Sequence, residues 1–548
     1  MEVIKGPLSI LHGSEAVGGV LNLIPEQKAP AGTRTWDVGT RVQSNTHGPL
    51  LQVGHKVNHG SWWWGVRAAA ESHSDYSDGS NVRVLNSRFR GAYGMANMGF
   101  VRKRWLSENY YSFSYNQFGF IFSDLSQFLT PDERWSQSMF GPHHLVRLHI
   151  VSSENTVQLR KSTLKVMAGG QSNLRQEDEG GGKLSLQMEL LSALATVRWT
   201  KPISQRTTLI VANNSSLERN TNYGFRKLVP DAWMKESSLS AYLRHGLGKW
   251  IVEYGAGGGW RNIEALPTPS VNSEEKDIGP FIQDRYFANG MAGLSWNPSR
   301  SWNLKINSST GVRAPNLSEL SSNGLHEGVY TYELGDPSLK NEQNWNTDFT
   351  VLRLGEQVHS SVSVFYNAFH NYIYLKPTAG RWYGFPVYEF VQENATLQGG
   401  EAALYYEPTY LPGMEIGASY SGLVGRLNNG DYIPYMPAQQ VTPSVRYAWN
   451  HPSKKWSGSV FTNVQIVAAQ TLTAPAEFST PAYELLNAGI NAQWKAKAAV
   501  YDFSVTGKNL LNEAYYDHMS RLKTFGFLNM GRNIVFQLKI KLNSAVSR

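Results

Sequence analysis

The side chains best able to hold a metal ion fall in two places. His143, His144 and His149 lie beside residues 123–144, a stretch without clear periodicity. His326 is followed directly by Glu327, inside a segment bounded by Gly324 and Gly328. Neutral imidazole is the commonest side chain for zinc, copper or haem iron, and a carboxylate can ligate or orient a ligating imidazole. Asp178, between Glu177 and Glu179, marks a further acidic stretch in what reads as another loop. The pattern is not closed. No H-x-H or H-E-x-x-H element occurs, 14 His in 548 residues is ordinary abundance, and the adjacent His143 and His144 point to opposite faces if extended. Each candidate therefore has a plainer reading as a residue packing on its neighbours, and the metal, if there is one, is unknown. Two residues from the 324–328 segment are too few, so His143, His144 or His149 would have to complete the set.

Other chemistries have less support. Cysteine is absent, which excludes disulfides, thiolate metal sites and cysteine nucleophiles. There is no G-x-S-x-G and no P-loop, and the Gly257-Gly258-Gly259 run lacks strand-helix context. No enzyme is expected, no catalytic residue and no resident cofactor. The net charge of +8 is scattered and forms no basic stripe, so nucleic acid is not an expected partner.

The elements that would position these residues read as strands. Tyr501, Phe503 and Val505 alternate with Asp502, Ser504 and Thr506. Ile534, Phe536, Leu538, Ile540 and Leu542 face one way, and Asn533, Gln537, Lys539 and Lys541 the other, with Val535 the exception. Charged residues are 17%, against roughly 25% in soluble domains. Aromatics are 12%, with 17 Trp and 27 Tyr, and mean hydropathy is −0.37. No apolar run reaches the ~18 residues of a membrane helix. Few charges, many aromatics and modest hydropathy fit a transmembrane barrel, whose strands alternate apolar and polar. Trp62, Trp63 and Trp64 put indole on both faces of one strand, as an interfacial girdle would. Residues 123–144, 260–280, 314–344 and 376–396 read as long loops. A soluble β-propeller shares the composition, but its four-strand repeat of ~40–50 residues is not found.

Three segments carry a resemblance. Glu2-Val-Ile-Lys-Gly-Pro7, with His12-Gly-Ser-Glu-Ala-Val-Gly-Gly-Val-Leu-Asn-Leu-Ile24, resembles the end of the plug domain of TonB-dependent outer-membrane receptors. Gly311-Val-Arg-Ala-Pro-Asn-Leu-Ser-Glu-Leu320 with Tyr332-Glu-Leu-Gly-Asp-Pro-Ser-Leu-Lys-Asn-Glu342 resembles that family's mid-barrel segment. Gly507-Lys-Asn-Leu-Leu-Asn512, Tyr515-Tyr-Asp-His518 and Gly531-Arg532 resemble its final hairpin, and Gly399-Gly-Glu401 a strand start. Order and spacing give the combination its weight.

The resemblance implies an all-β fold, an antiparallel transmembrane barrel of about 22 strands. Residues 1–32 would be the end of a plug, 33–542 the barrel and 543–548 a C-terminal extension. It implies uptake of a metal or metal chelate (siderophore, haem, zinc or copper) across the outer membrane of a Gram-negative bacterium. Implied partners are outer-membrane lipid and lipopolysaccharide, the TonB-ExbB-ExbD complex of full-length relatives, and the barrel-assembly machinery, with the barrel a monomer. A complete receptor would carry a signal peptide, a TonB box and most of the plug ahead of residue 2, so the reading is an N-terminally truncated form. The family commonly ends on an aromatic residue, whereas this chain has Leu542 and then Asn543-Ser-Ala-Val-Ser-Arg548. Buried charge must be paired, which suggests plug–barrel ion pairs involving Glu2, Lys5, Arg313 and Glu401. The rival readings are a passive outer-membrane pore or adhesin, and a soluble periplasmic hydrolase.

Overall fold

The computed structural model describes residues 2–4, 10–11, 19–121, 135–139, 141–269, 279–452 and 455–545. Twenty-two antiparallel strands close into one barrel. The last, Asn533–Ala545, pairs with the first, Thr33–Gln43, setting Leu538 opposite Thr40 and Leu542 opposite Trp36. Closure leaves no open edge to pair with another chain. The terminal strand shows why the sequence folds this way. Phe536, Leu538 and Leu542 are exposed, whereas Lys539 on the other face reaches Asp37 at 3.5 Å. Apolar exposure of this kind continues around the wall, through Val53, Met98, Val151, Leu239 and Tyr254. Such a band suits a lipid surround, with polar side chains turned into the lumen. No helix among the described residues is long and apolar enough to cross a membrane. The strand continues through Ala545, so Asn543, Ser544 and Ala545 belong to the barrel rather than to an extension.

The barrel has two unlike ends. At one, here called the foot, strands are joined by short turns such as 103–104 and 248–249. Trp62, Trp105 and the stacked pairs Trp250–Trp296 and Trp456–Trp494, 5.5 and 5.6 Å between ring centres, lie near this end. Trp63 faces the other way: it is buried against the lumen, with Lys28 Nζ 3.7 Å from its ring. At the opposite end, the mouth, long connections join the strands, among them 74–88, 314–341, 428–439, 468–482 and 509–532. Much of the two loops expected at 123–144 and 260–280 lies outside the described residues. One expected loop is not a loop. Residues 376–396 continue two long strands, Val358–Trp382 and Phe385–Tyr406, which meet in a tight turn at Tyr383 and Gly384. Pro377, Gly380 and Pro386 interrupt the sequence pattern, but a register shift between Pro377 and Arg381 absorbs them within the hairpin.

The N-terminal segment lies inside. Glu2–Ile4 pairs with Val20–Asn22, separate from the barrel. Gly19 enters the second of these strands at φ 121°, a conformation only glycine adopts readily. Ile10 and Leu11 pack against Ala212, Tyr242 and Met291 of the inner wall, where Asn214 Nδ2 donates to Leu11 O at 3.0 Å. Gly6, Pro7, Gly13 and Gly18 lie outside the described residues.

Candidate functional site

Charge is concentrated at two levels of the interior. Near the foot, Glu26 takes Arg67 at 2.6 Å and Lys56 at 3.0 Å. Arg67 also grips Asp37 with both terminal nitrogens, at 2.7 and 2.8 Å, and Lys539 approaches Asp37 from the last strand. Bidentate guanidinium–carboxylate pairing is among the strongest charge-assisted arrangements. It ties residue 26, just before the barrel, to the first, third and last strands. Asn58 Nδ2 donates to Ala29 O and Lys56 Nζ to Gln27 O, so the whole 26–29 stretch is held against the wall.

The residues expected to pair plug with barrel are placed otherwise. Glu2 accepts from Asn22 Nδ2 at 2.9 Å, within the N-terminal segment itself. Lys5 lies outside the described residues. Glu401 is exposed on strand Phe385–Tyr406, on the face opposite Leu404 and therefore toward the lumen. Arg313 pairs with Glu319 at 2.9 Å and with Glu342 at 3.1 Å, both near the mouth and neither in residues 1–32. Its motif is a clamp. Asn316 caps the short helix Leu317–Ser321 by accepting from Glu319 N, and the Glu319 carboxylate in turn accepts from Asn316 N. Arg313 then fixes that Glu319, while Glu342 also accepts from Ile373 N. Leu317, Leu320 and Leu339 are thereby set into an apolar cluster with Val229, Met234 and Ile263.

The expected ligands divide by face. His149 sits two residues from the outward Val151 and contacts Tyr111 OH at 2.9 Å. It lies on the outer wall and is removed from any lumen site by strand alternation. His143 holds Gly141 O through Nδ1 at 2.8 Å. His144, on the inward face, is buried, with Nε2 2.9 Å from Glu177 and its ring edge-on to Phe120 at 4.1 Å. Glu177 and Asp178 end strand Thr163–Asp178 rather than lying in a loop. His326, on the short strand Asn323–His326, contacts Glu333 through Nδ1 at 2.8 Å. The turn 327–329 that follows runs back to His144: a Cβ on Gly328 would lie 3.8 Å from His144 Nε2 and from Phe120. The Glu327 side chain is outside the described residues. Tyr330, at φ 61°, then carries its ring to Phe385 and Phe525, 4.6 and 5.6 Å away. The hairpin tip thus reaches both the strand wall near His144 and the last long loop. No group of three His, Asp or Glu is poised to hold a metal among the described residues.

A second imidazole–carboxylate pair binds three mouth loops together. Glu477 accepts from Lys523 Nζ and His518 Nε2, both at 3.0 Å, and from Tyr435 N at 3.2 Å. Thr480 Oγ1 lies 3.0 Å from His518 Nδ1, so both ring nitrogens are engaged. Burial, then Lys523, holds the His518 imidazole below its ordinary value against the pull of Glu477. Burial alone would raise the Glu477 carboxyl, but Lys523 and the Ala474 and Tyr435 amides outweigh it and hold it low. His518 is therefore neutral near pH 7, donating from Nε2 and accepting from Thr480. A cavity of about 100 Å³ beside this hub is lined by Tyr374, Tyr388, Tyr432 and Tyr435 with Glu477 and Lys523.

Sequence reasoning did not assign roles to Glu26, Arg67, Glu177, Glu333, Glu477 or Lys523. Glu333 and His518 stood inside quoted motifs, and that was their available signal. The others are joined only by strand pairing and loop packing.

Residues 33–510 match the family model described as TonB dependent receptor-like, beta-barrel. The iron-regulated outer membrane virulence protein of Vibrio cholerae serotype O1 is 20% identical over 584 residues, covering 98% of this chain and 79% of that protein. The structure of the copper transporter OprC superposes with TM-score 0.79 at 15% identity, over 99% of this chain and 85% of the other. The ferric yersiniabactin uptake receptor FyuA of Yersinia pestis superposes with TM-score 0.72 at 11% identity, over 99% and 84%.

Proposed function

The chain belongs to the TonB-dependent receptor family, and from that premise we propose that it takes up a metal ion or a metal chelate across the outer membrane. In such barrels the short turns face the periplasm and the long loops face outward, so cargo arrives at the mouth. The observation that carries the reading is the setting of His326. Its Nδ1 is taken by Glu333, the carboxylate–imidazole arrangement that orients a metal-ligating histidine and leaves Nε2 to ligate. The turn after it rests on His144, so a second imidazole is at hand. Two of the similar structures are named for metal cargoes, a copper transporter and a ferric yersiniabactin uptake receptor.

Residues 1–32 serve in this reading as the closing stretch of a plug. Leu11 packs on the inner wall, and the Glu26 network anchors the segment near the foot. Release of cargo inward requires that segment to shift, and coupling to TonB would act on it from the periplasmic side. The test is titration of the folded barrel with Zn²⁺, Cu²⁺ and haem, before and after His326→Ala. Binding of at least one, weakened tenfold or more by the substitution, is expected. Absence of binding for all three, or affinity unchanged by the substitution, would move the site elsewhere and favour an organic cargo.

A further inference from the structure

Four charged residues stand on the outside of the barrel near one level, on four consecutive strands. Arg219 and Lys235 lie on Thr207–Asn222 and Ala232–Leu247, and Glu264 and Asp284 on Trp250–Ala265 and Phe281–Ser299. Alternation turns them outward, since Arg219 shares its face with Leu217, Lys235 with Leu239, Glu264 with Tyr254 and Asp284 with Tyr286, all exposed. The order around the wall is cation, cation, acid, acid. Within one chain the opposite charges do not meet. Arg219 lies over the Trp233 ring at 4.9 Å, and Asp284 accepts from Trp260 Nε1 at 2.9 Å and from Asn262 Nδ2 at 3.1 Å. None of the four has an opposite charge within ion-pair distance among the described residues.

Below them the same strands present a wall unlike that at the barrel closure, where Phe503, Leu538, Val38 and Val53 point outward. Here the residues midway up are Ala241, Ala256, Gly258, Ala288, Gly290 and Ala292. Asn213, Ser215 and Ser237 share this outer face. Ser215 Oγ lies 3.0 Å from Ser237 Oγ and donates to Asn213 Oδ1 at 3.2 Å. Asn213 and Ser215 stand six and eight residues above the foot end of their strand. At about 3.3 Å per residue and a tilt of about 35–45°, that is roughly 15–20 Å, inside an apolar band about 25 Å tall. Contacts within a membrane use small residues and hydrogen-bonding groups, because lipid already matches large apolar side chains.

We propose that this face is the contact between two copies of the chain, related by a two-fold axis along the membrane normal. The axis passes between strands Ala232–Leu247 and Trp250–Ala265. It sets each of these two strands against the other in the partner, and Thr207–Asn222 against Phe281–Ser299. Lys235 of each copy then faces the partner's Glu264, and Arg219 the partner's Asp284. Leu239 and Gly258 are level, since they pair within one chain, so Leu239 enters the gap over the partner's Gly258. The order of charges makes the face self-complementary, whereas an anionic lipid headgroup would match only half of it.

The test is the dimer-to-monomer ratio of the full chain in mild detergent, read by native mass spectrometry, with heat-modifiable gel mobility as the check on folding. A dimer is expected. Lys235→Glu sets like charges against each other across the axis and should lower the ratio about tenfold, as should Glu264→Lys. Both substitutions in one chain restore opposite charges and should recover most of the dimer, which damage to the barrel would not do. Arg353→Glu, at an outward cation over Trp302 near the foot, should leave the ratio unchanged. If Lys235→Glu does not fold, Arg219→Glu and Asp284→Arg, singly and together, pose the same exchange. A monomer throughout, as the family resemblance implies, would overturn the proposal. So would a dimer indifferent to Lys235→Glu, equal loss in Arg353→Glu, or a double variant no better than the single ones.

Discussion

The foot and the mouth of the lumen both rest on buried charge, but the charges differ in kind. At the foot, Arg67 and two carboxylates form a cluster with Lys56 and Lys539, with no imidazole in it. At the mouth, beside the Arg313 clamp, three further pairs contain an imidazole: His518 with Glu477, His326 with Glu333, His144 with Glu177. The first arrangement keeps its charge across the physiological range. The second contains groups that can change protonation there or accept a metal in place of a proton. In the function proposed above, the foot anchors the N-terminal segment and the mouth receives cargo.

The largest break should come at the foot. Arg67→Ala leaves Glu26 and the buried Asp37 without their shared cation, and removing one partner of a buried pair costs about 3–5 kcal/mol. Part of that cost is relieved by lumen water, so urea unfolding in lipid should report about 2–3 kcal/mol. An unchanged midpoint would remove the anchoring role. Next in size is the wall that carries both regions. Leu538→Arg puts a cation on the lipid face and should cost about 2–4 kcal/mol in the same assay. Wild-type folding would mean that Leu538 does not face lipid.

Smaller effects separate the two ends. Glu477→Gln removes the charge shared by Lys523 and His518. Amide exchange in 428–439, 468–482 and 509–532 should accelerate while that in 26–37 stays fixed. Acid should act similarly. The His518 imidazole is depressed on folding, so its contribution is complete above its ordinary value of 6.5 and is lost as pH falls below that. Glu477 is depressed too, and its contribution is lost at lower pH, below 4.5. Protection at the mouth, taken relative to the intrinsic exchange rate at each pH, should therefore fall between pH 7.5 and 5.5, with protection at the foot unchanged.

How far the sequence reached depended on distance along the chain. The alternation of Phe536, Leu538 and Leu542 is local, and it placed them on the outer face. The Arg313 motif was visible, but its partner Glu342 is brought close by pairing between two barrel strands, which no local pattern encodes. The same holds for Glu26, Arg67 and Asp37. His149 was within reach: once the strand starts at His143, alternation with Val151 puts it outside. Residues 376–396 misled because proline and glycine there bend a hairpin without ending it. His518 carried no sign of burial, since three loops enclose it and none is contiguous with another in sequence.

The most direct measurement is amide exchange on the folded barrel in lipid, with and without saturating Cu²⁺, Zn²⁺ or haem. Protection confined to residues 323–334 and 143–144, lost in His326→Ala, with 26–37 unchanged, is the predicted result. Protection only at the foot, or none anywhere with any of the three, would contradict a mouth that receives the metal.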